Sequence, residues 1–304
     1  MEPIHVLLTG ATGLVGGAFL PRLAEQGHHV TALTRRIPSA APDGGPIRFA
    51  TWDGTAPPAS ALEDIHTVIH LAGEPVFGGI PTTARKQRMV TSRVDSTRAI
   101  VAQIAALPQS QRPKRLICAS AVGYYGDRGD EWLEESSGPG EGFLSQLCQD
   151  WEREADQAVA LGTAVTRMRF GIVLARDGGA LAMLRRIFGA NLGGRLGSGR
   201  QWFPWIHLDD TLGALQLALE GRLDGAVNVV SPAPVTNQEL TRVLAKQMRR
   251  VGFWAVPSIA MRLALGDIAD ELLGSKRVRP TALEQSGYEF VFNDLAAALE
   301  RELS

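Results

Sequence analysis

The chain has 304 residues, 45% apolar and 21% charged, with a formal net charge of −1 at pH 7. These values describe an ordinary globular chain, long enough for one large domain or two coupled lobes, and they argue against a polyanionic partner. The two cysteines, Cys118 in an apolar strand and Cys148 in an amphipathic helix, give no disulfide framework and fit a reducing compartment.

The first element is an apolar strand, Ile4 to Leu8, which runs into Gly10, Gly13 and Gly16. Glycines at this spacing between a strand and a helix suit a dinucleotide. Gly10 permits a tight turn, Gly13 lets backbone N–H groups approach a pyrophosphate, and Gly16 lets the helix pack close to the sheet. The helix that opens at Leu14 and Val15 points its partial positive charge at that anion. Pro21 removes one hydrogen bond of this helix and predicts a kink, not a lost helix.

A second strand, His29 to Thr34, ends in Thr34-Arg35-Arg36. A carboxylate there would accept from a free ribose 2′-hydroxyl, whereas arginine matches a 2′-phosphate, so the expected cofactor is NADP(H) over NAD(H). Asp53, after a third strand at Ile47 to Ala50, is better placed for the adenine edge.

Strands at Thr67 to Leu71, Leu116 to Ala119 and Ala164 to Phe170 alternate with helices from about Ser92 to Ala106 and Phe143 to Ala160. This alternation predicts an α/β fold: a Rossmann-like, doubly wound parallel sheet with a smaller C-terminal substrate lobe. The cofactor domain is expected over 1–170 and 206–230, the substrate lobe over 171–205 and 231–304. The second half carries a helix around Leu181 to Phe188, a glycine-rich loop from Gly193 to Gly199, and a helix from Asp209 to Leu219. A strand at Ala226 to Val230 and a helix from Asn237 to about Met248, capped by Thr236, complete the pattern.

Short basic clusters, such as Arg112, Lys114 and Arg115, lack interleaved aromatics, so no nucleic-acid partner is expected. The apolar stretch Val251 to Leu265 is broken by Pro257 and Arg262 and is too short to span a bilayer. With no cationic, apolar leader ahead of the first strand, the expectation is a cytoplasmic monomer or homodimer acting on a small molecule. His66 and His70 flank a strand without a third ligand nearby, so no metal is assigned.

Thr9 to Gly16, Leu71-Ala72-Gly73-Glu74-Pro75, Ser120-Ala121-Val122-Gly123-Tyr124-Tyr125-Gly126 and Trp205-Ile206-His207-Leu208-Asp209-Asp210 together resemble the extended short-chain dehydrogenase/reductases. Phe143 to Glu152, Gly193 to Gly199 and Pro204-Trp205-Ile206-His207 resemble an atypical branch of that superfamily, the epimerase family proteins. The resemblance implies pyrophosphate contacts from Gly10, Thr12, Gly13 and Leu14, and 2′-phosphate contacts from Thr34 and Arg35. It implies that Leu71, Ala72 and Gly73 line the path to Glu74 at the nicotinamide end. Arg93 would hold a phosphate or ribose oxygen, Arg88 the rim, and the Ile172 backbone the nicotinamide amide. Val76, Arg185, Gln201 and Trp202 are expected around the substrate, and His207 at the junction of the lobes.

The superfamily's proton relay is a tyrosine four residues before a lysine on one helix, the cation lowering the phenol pKa. This chain has no such pair: Tyr124, Tyr125 and Tyr288 are followed at the fourth position by Arg128, Gly129 and Phe292. Alignment on Glu152 puts Leu144 and Cys148 where tyrosine and lysine belong. Either Tyr124 or Tyr125, with Ser120, supplies the proton from another direction, or the protein binds NADP(H) without the superfamily's chemistry.

Overall fold

A computed structural model describes residues 2–39, 44–76, 82–252 and 254–304. Along the chain come β1 (His5–Thr9), α1 (Leu14–Glu25), β2 (His29–Thr34), β3 (Ile47–Thr51), β4 (Thr67–His70), α2 (Thr83–Val90) and α3 (Ser96–Ala106). Next are β5 (Arg115–Ala121), β6 (Trp132–Leu133), α4 (Phe143–Asp156), β7 (Ala164–Phe170), β8 (Ile172–Ala175), α5 (Gly179–Gly189), β9 (Gly194–Leu196), β10 (Trp202–Phe203) and β11 (Trp205–His207). Then follow α6 (Leu208–Leu219), β12 (Gly225–Val229), β13 (Val235–Thr236), α7 (Asn237–Gln247), β14 (Trp254–Val256), α8 (Ser258–Leu265), α9 (Ala269–Leu273), β15 (Arg277–Val278), α10 (Thr281–Gln285) and α11 (Leu295–Leu303).

Seven strands form one sheet in the order β12-β7-β5-β4-β1-β2-β3, and every pairing is parallel. The order reverses between β1 and β4, which places the crevice for a ligand beyond the carboxyl ends of those strands. Alternate residues feed two cores. Val6, Leu8, Val30, Ala32, Ile117 and Val227 pack on Phe19, Leu23, Leu212 and Leu215. Leu7, Leu33, Val68, Leu116 and Val165 face the other way, onto Ile100, Ile104, Leu147 and Trp151. Burial on both faces explains why these strands read as continuous apolar runs.

Helix α1 continues through Pro21 to Glu25. The helix expected from Ser92 is preceded by α2, and the two are joined by a π turn at Thr91–Asp95. Thr236 caps α7, its Oγ accepting from the Glu239 N–H at 3.2 Å. The stretch Val251 to Leu265 divides into β14 and α8, and no helix among the described residues is long and apolar enough to cross a membrane.

Small sheets carry the rest of the chain back onto the large one. β8 pairs with β11, and β6 pairs with β15, joining Trp132 to Arg277. Asp210, at the start of α6, accepts the N–H groups of Val291 and Phe292 and the Tyr288 hydroxyl, which fastens the C-terminal segment.

Candidate functional site

The turn after β1 has the shape that its glycines require. Gly10 has φ +72°, and a Cβ there would lie 2.7 Å from the Leu71 carbonyl carbon; on Gly16 it would lie 2.3 Å from the Gly10 oxygen. The Gly13 N–H closes the turn on Gly10 O at 2.9 Å. Gly13 caps α1 without a side-chain acceptor, so the N–H groups of Leu14, Val15 and Gly16 in the first turn have no helical partner. Thr12 is exposed at the tip and Ala11 buried beneath it. A bare backbone cradle at a helix N-terminus fits a pyrophosphate.

At the end of β2, Thr34 is buried and its hydroxyl donates to Arg36 O at 3.0 Å. Arg35 and Arg36 are exposed beyond it. Asp53 is folded into its own turn, accepting the Thr55 N–H and hydroxyl at 2.9 and 2.6 Å.

At the exit of β4, the Ala72 N–H donates to Thr9 Oγ1 at 3.2 Å. His70 is sealed beneath, 2.7 Å from Thr9 Oγ1 and 3.2 Å from Ser96 Oγ. Burial, aided by the Arg93 cation, pushes its pKa down to about 3, so the imidazole is neutral. Leu71 and Ala72 are half-buried and Gly73 is exposed. The Glu74 N–H donates to Ser92 Oγ at 2.9 Å, and Arg93 donates to Glu74 O at 2.8 Å. The Arg93 guanidinium lies 5.2 Å over the Trp151 ring and against Gly73. Arg88 approaches the Glu74 carboxylate at 3.7 Å from the surface. Val76 is partly buried against the core formed by Leu33, Val68 and Trp151.

The three hydroxyls expected to manage a proton are placed differently from one another. Ser120 is buried and donates to Glu152 Oε1 at 2.6 Å. Tyr125 is fully buried; its hydroxyl donates to Asn228 Oδ1 at 2.7 Å and accepts from Arg169 at 2.9 Å. Burial pushes its pKa up to about 12, against the opposing influence of Arg169. Both groups brace a buried ion pair between Arg169 and Glu152 at 2.8 Å. Tyr124 is half-buried, with the Arg169 guanidinium 3.6 Å from its ring centre.

Leu144 and Cys148 share one face of α4 and meet Gly123: a Cβ on Gly123 would lie 3.8 Å from each, and 3.3 Å from Glu271 Oε2. That point borders a cavity of about 650 Å³, lined from one side by Gly123 and residues 126–128 and 139–145, and from the other by Arg262, Asp270, Glu271, Leu273, Gly274 and Lys276. Its volume is in the range of small-molecule sites.

The residues expected around a substrate are not gathered there. Gln201 donates to the carbonyls of Leu196 and Leu272 at 3.0 and 3.3 Å. The Trp202 indole donates to Asp130 at 2.8 Å and lies under Arg277, which also covers Trp132. Arg185 donates to Arg176 O on another face, beside Arg186 and Met248. The Ile172 N–H is taken by Pro204 O at 2.7 Å, within the parallel pairing of β8 with β11. His207 caps α6, meets Glu302 at 2.8 Å and stacks on Phe292, a structural placement. Glu271 and Lys276, paired at 3.3 Å on the far wall of the cavity, belong to no motif at helical spacing within one element. Lys276 in a chain so poor in lysine was the available signal.

The sheet order and the glycine cradle define a Rossmann-type nucleotide-binding protein of the extended short-chain dehydrogenase/reductase class. The chain belongs to the NAD dependent epimerase/dehydratase family, which residues 6–230 match; residues 256–302 match a domain of unknown function, DUF1731. The epimerase family protein Mb2239 of Mycobacterium bovis is 38% identical, over 97% of this chain and 96% of that protein. The crystal structure of human epimerase family protein SDR39U1 with NADPH is 30% identical, with a TM-score of 0.84 and 99% of both chains covered. That of a nucleoside-diphosphate sugar epimerase from Corynebacterium glutamicum is 34% identical, with a TM-score of 0.80, over 99% of this chain and 58% of that one.

Proposed function

We propose that the protein is a cytoplasmic oxidoreductase or epimerase that holds NADP(H) across the carboxyl ends of β1, β2 and β4. The observation that carries this is the pairing of the bare cradle at Gly10, Gly13 and Gly16 with Arg35 and Arg36, exposed at the end of β2 where a 2′-phosphate is read. Thr12, Leu14 and Val15 would hold the pyrophosphate, Thr34, Arg35 and Arg36 the adenosine phosphate, and Leu71 to Glu74 with Arg93 the path toward the nicotinamide. The similarity to an NADPH-bound structure supports NADP(H). When bound, the nicotinamide supplies hydride transfer, and residues 171–205 and 231–304 form the lobe that closes over a small-molecule substrate.

A second reading, a redox-sensing NADP(H) binder without turnover, is favoured by one observation: the Ser120 and Tyr125 hydroxyls are committed to Glu152 and Asn228. Single-turnover oxidation of bound NADPH across a panel of carbonyl compounds separates the two. The catalytic reading expects oxidation with at least one member; saturable binding with no oxidation by any member selects the silent binder.

A further inference from the structure

We propose that the Glu271 carboxylate, held by Lys276, exchanges the substrate's proton in place of the missing tyrosine and lysine; this rests on the NADP(H) reading. Three atoms converge on one point beside Gly123. A Cβ there would lie 3.3 Å from Glu271 Oε2 and 3.8 Å from both Leu144 Cβ and Cys148 Sγ. Leu144 and Cys148 occupy the positions where the resemblance puts the proton relay, so a titratable oxygen from the C-terminal segment stands beside the place that α4 leaves apolar. Cys148 does not serve instead, since burial pushes its thiol up to about 12.

The Glu271 oxygen is positioned for this work. Lys276 is nearly sealed from solvent, its side chain 3% exposed, with Nζ 3.3 Å from Oε2 and 3.3 Å from the Glu271 carbonyl. A carboxylate pinned by a buried ammonium keeps one geometry. The other charges on the cavity wall are largely engaged: Arg262 lies 3.5 Å from Asp270, Arg128 grips Glu131, and Asp127 accepts the N–H groups of Gly129 and Ser275. Glu141 lines the opposite wall. Pairing of β6 with β15 holds the two walls together.

In the oxidative direction, the O–H bond of a secondary alcohol breaks as Glu271 Oε2 takes the proton, and the carbon's hydride passes to NADP⁺, leaving a carbonyl. In reduction the same proton returns to the carbonyl oxygen while NADPH is oxidised. The cavity mouth lets Glu271 exchange that proton with water.

The test uses diacetyl and phenanthrenequinone as carbonyl probes on the full-length protein. NADPH titration, single-turnover NADPH oxidation across pH, and carboxyl ¹³C NMR are compared for the wild type, E271Q, K276M and Y124F. The expected result is NADPH binding within about twofold of wild type in all variants, with oxidation about a hundredfold or more slower in E271Q and one limb of its pH profile lost. Y124F should keep that limb. A ¹³C resonance missing from E271Q should move when probe is added to wild type loaded with NADP⁺, a readout that needs no turnover. Wild-type rates in E271Q, or loss of the limb in Y124F instead, overturn the proposal. So does NADPH binding without oxidation of either probe, which leaves the cofactor reading standing. Absence of NADPH binding in the wild type removes that reading as well. A thermal melt matching wild type shows that a slow E271Q is folded, and a slow but unfolded E271Q is replaced by E271D, which must retain the limb.

Discussion

Arg169 and Glu152 form a two-pronged ion pair inside the protein, Nε to Oε1 and Nη2 to Oε2, both at 2.8 Å. Ser120 shares Oε1 and Tyr125 touches the other side of the guanidinium, so β5, α4 and β7 are fastened at one buried point.

Removing one partner leaves a charge uncompensated. Glu152→Ala is expected to cost about 3–5 kcal/mol in urea unfolding, because breaking a buried pair strands the remaining ion. Ser120→Ala, which removes one donor and leaves the ion pair whole, is expected to cost about 1 kcal/mol. Equal and small losses for both would show that the pair does not hold these elements together.

The glycine cradle predicts a loss of cofactor binding that a distant glycine does not share. Gly16→Ala places a Cβ 2.3 Å from a backbone oxygen, so the turn or the helix must shift. NADPH affinity should fall at least about tenfold, equivalent to about 1.4 kcal/mol. Gly189→Ala, at the end of α5 with no atom within 4 Å of the added carbon, should leave it unchanged. Calorimetric titration reads both.

His70 makes stability depend on pH in a defined direction. Its pKa falls from 6.5 to about 3 on folding, so between those values the unfolded chain binds the proton and the folded one does not. The stability that the neutral imidazole contributes is complete above pH 6.5 and declines as pH falls toward 3, by up to about 1.4 kcal/mol per unit. Denaturation midpoints across mildly acidic pH should show this slope, and His70→Gln should flatten it. An unchanged slope in the variant would assign it to other groups.

The cysteines should be inert in the folded state. Burial pushes the thiols of Cys118 and Cys148 up to about 12, and the thiolate is the reactive form. Iodoacetamide at mildly alkaline pH should label neither until urea is added. Rapid native labelling of Cys148 would mean that the cavity opens beside α4.

Much of the sheet was legible because its strands are buried on both faces and flanked by turn residues: His29–Thr34 and Ala164–Phe170 have the bounds that their composition predicts. Helix α2 was not. Its sequence, TARKQRMV, is polar, and only Arg85 and Met89 are buried, so no apolar stripe announces it. The glycine turn after β1 was legible because its residues lie within one short local motif. The cavity was not, since Gly123, Leu144 and Glu271 are brought together by contacts between segments distant in the chain, among them the pairing of β6 with β15 and the bonds of Ser275 to Asp127 and Gly129, and nothing in local spacing encodes that crossing. The sequence shows the hydroxyls of Ser120 and Tyr125 but not their partners, Glu152 and Asn228, which are distant in the chain.

Recognition of a phosphorylated nicotinamide nucleotide at the ends of β1 and β2 is tested most directly by parallel titrations of the wild type and Arg35→Glu with NADPH and NADH. The expected result is saturable binding of NADPH by the wild type, a loss of about tenfold to a hundredfold for NADPH in the variant as one charge-assisted contact becomes repulsive, and little change for NADH. Equal losses for both nucleotides, or no saturable NADPH binding by the wild type, would contradict it.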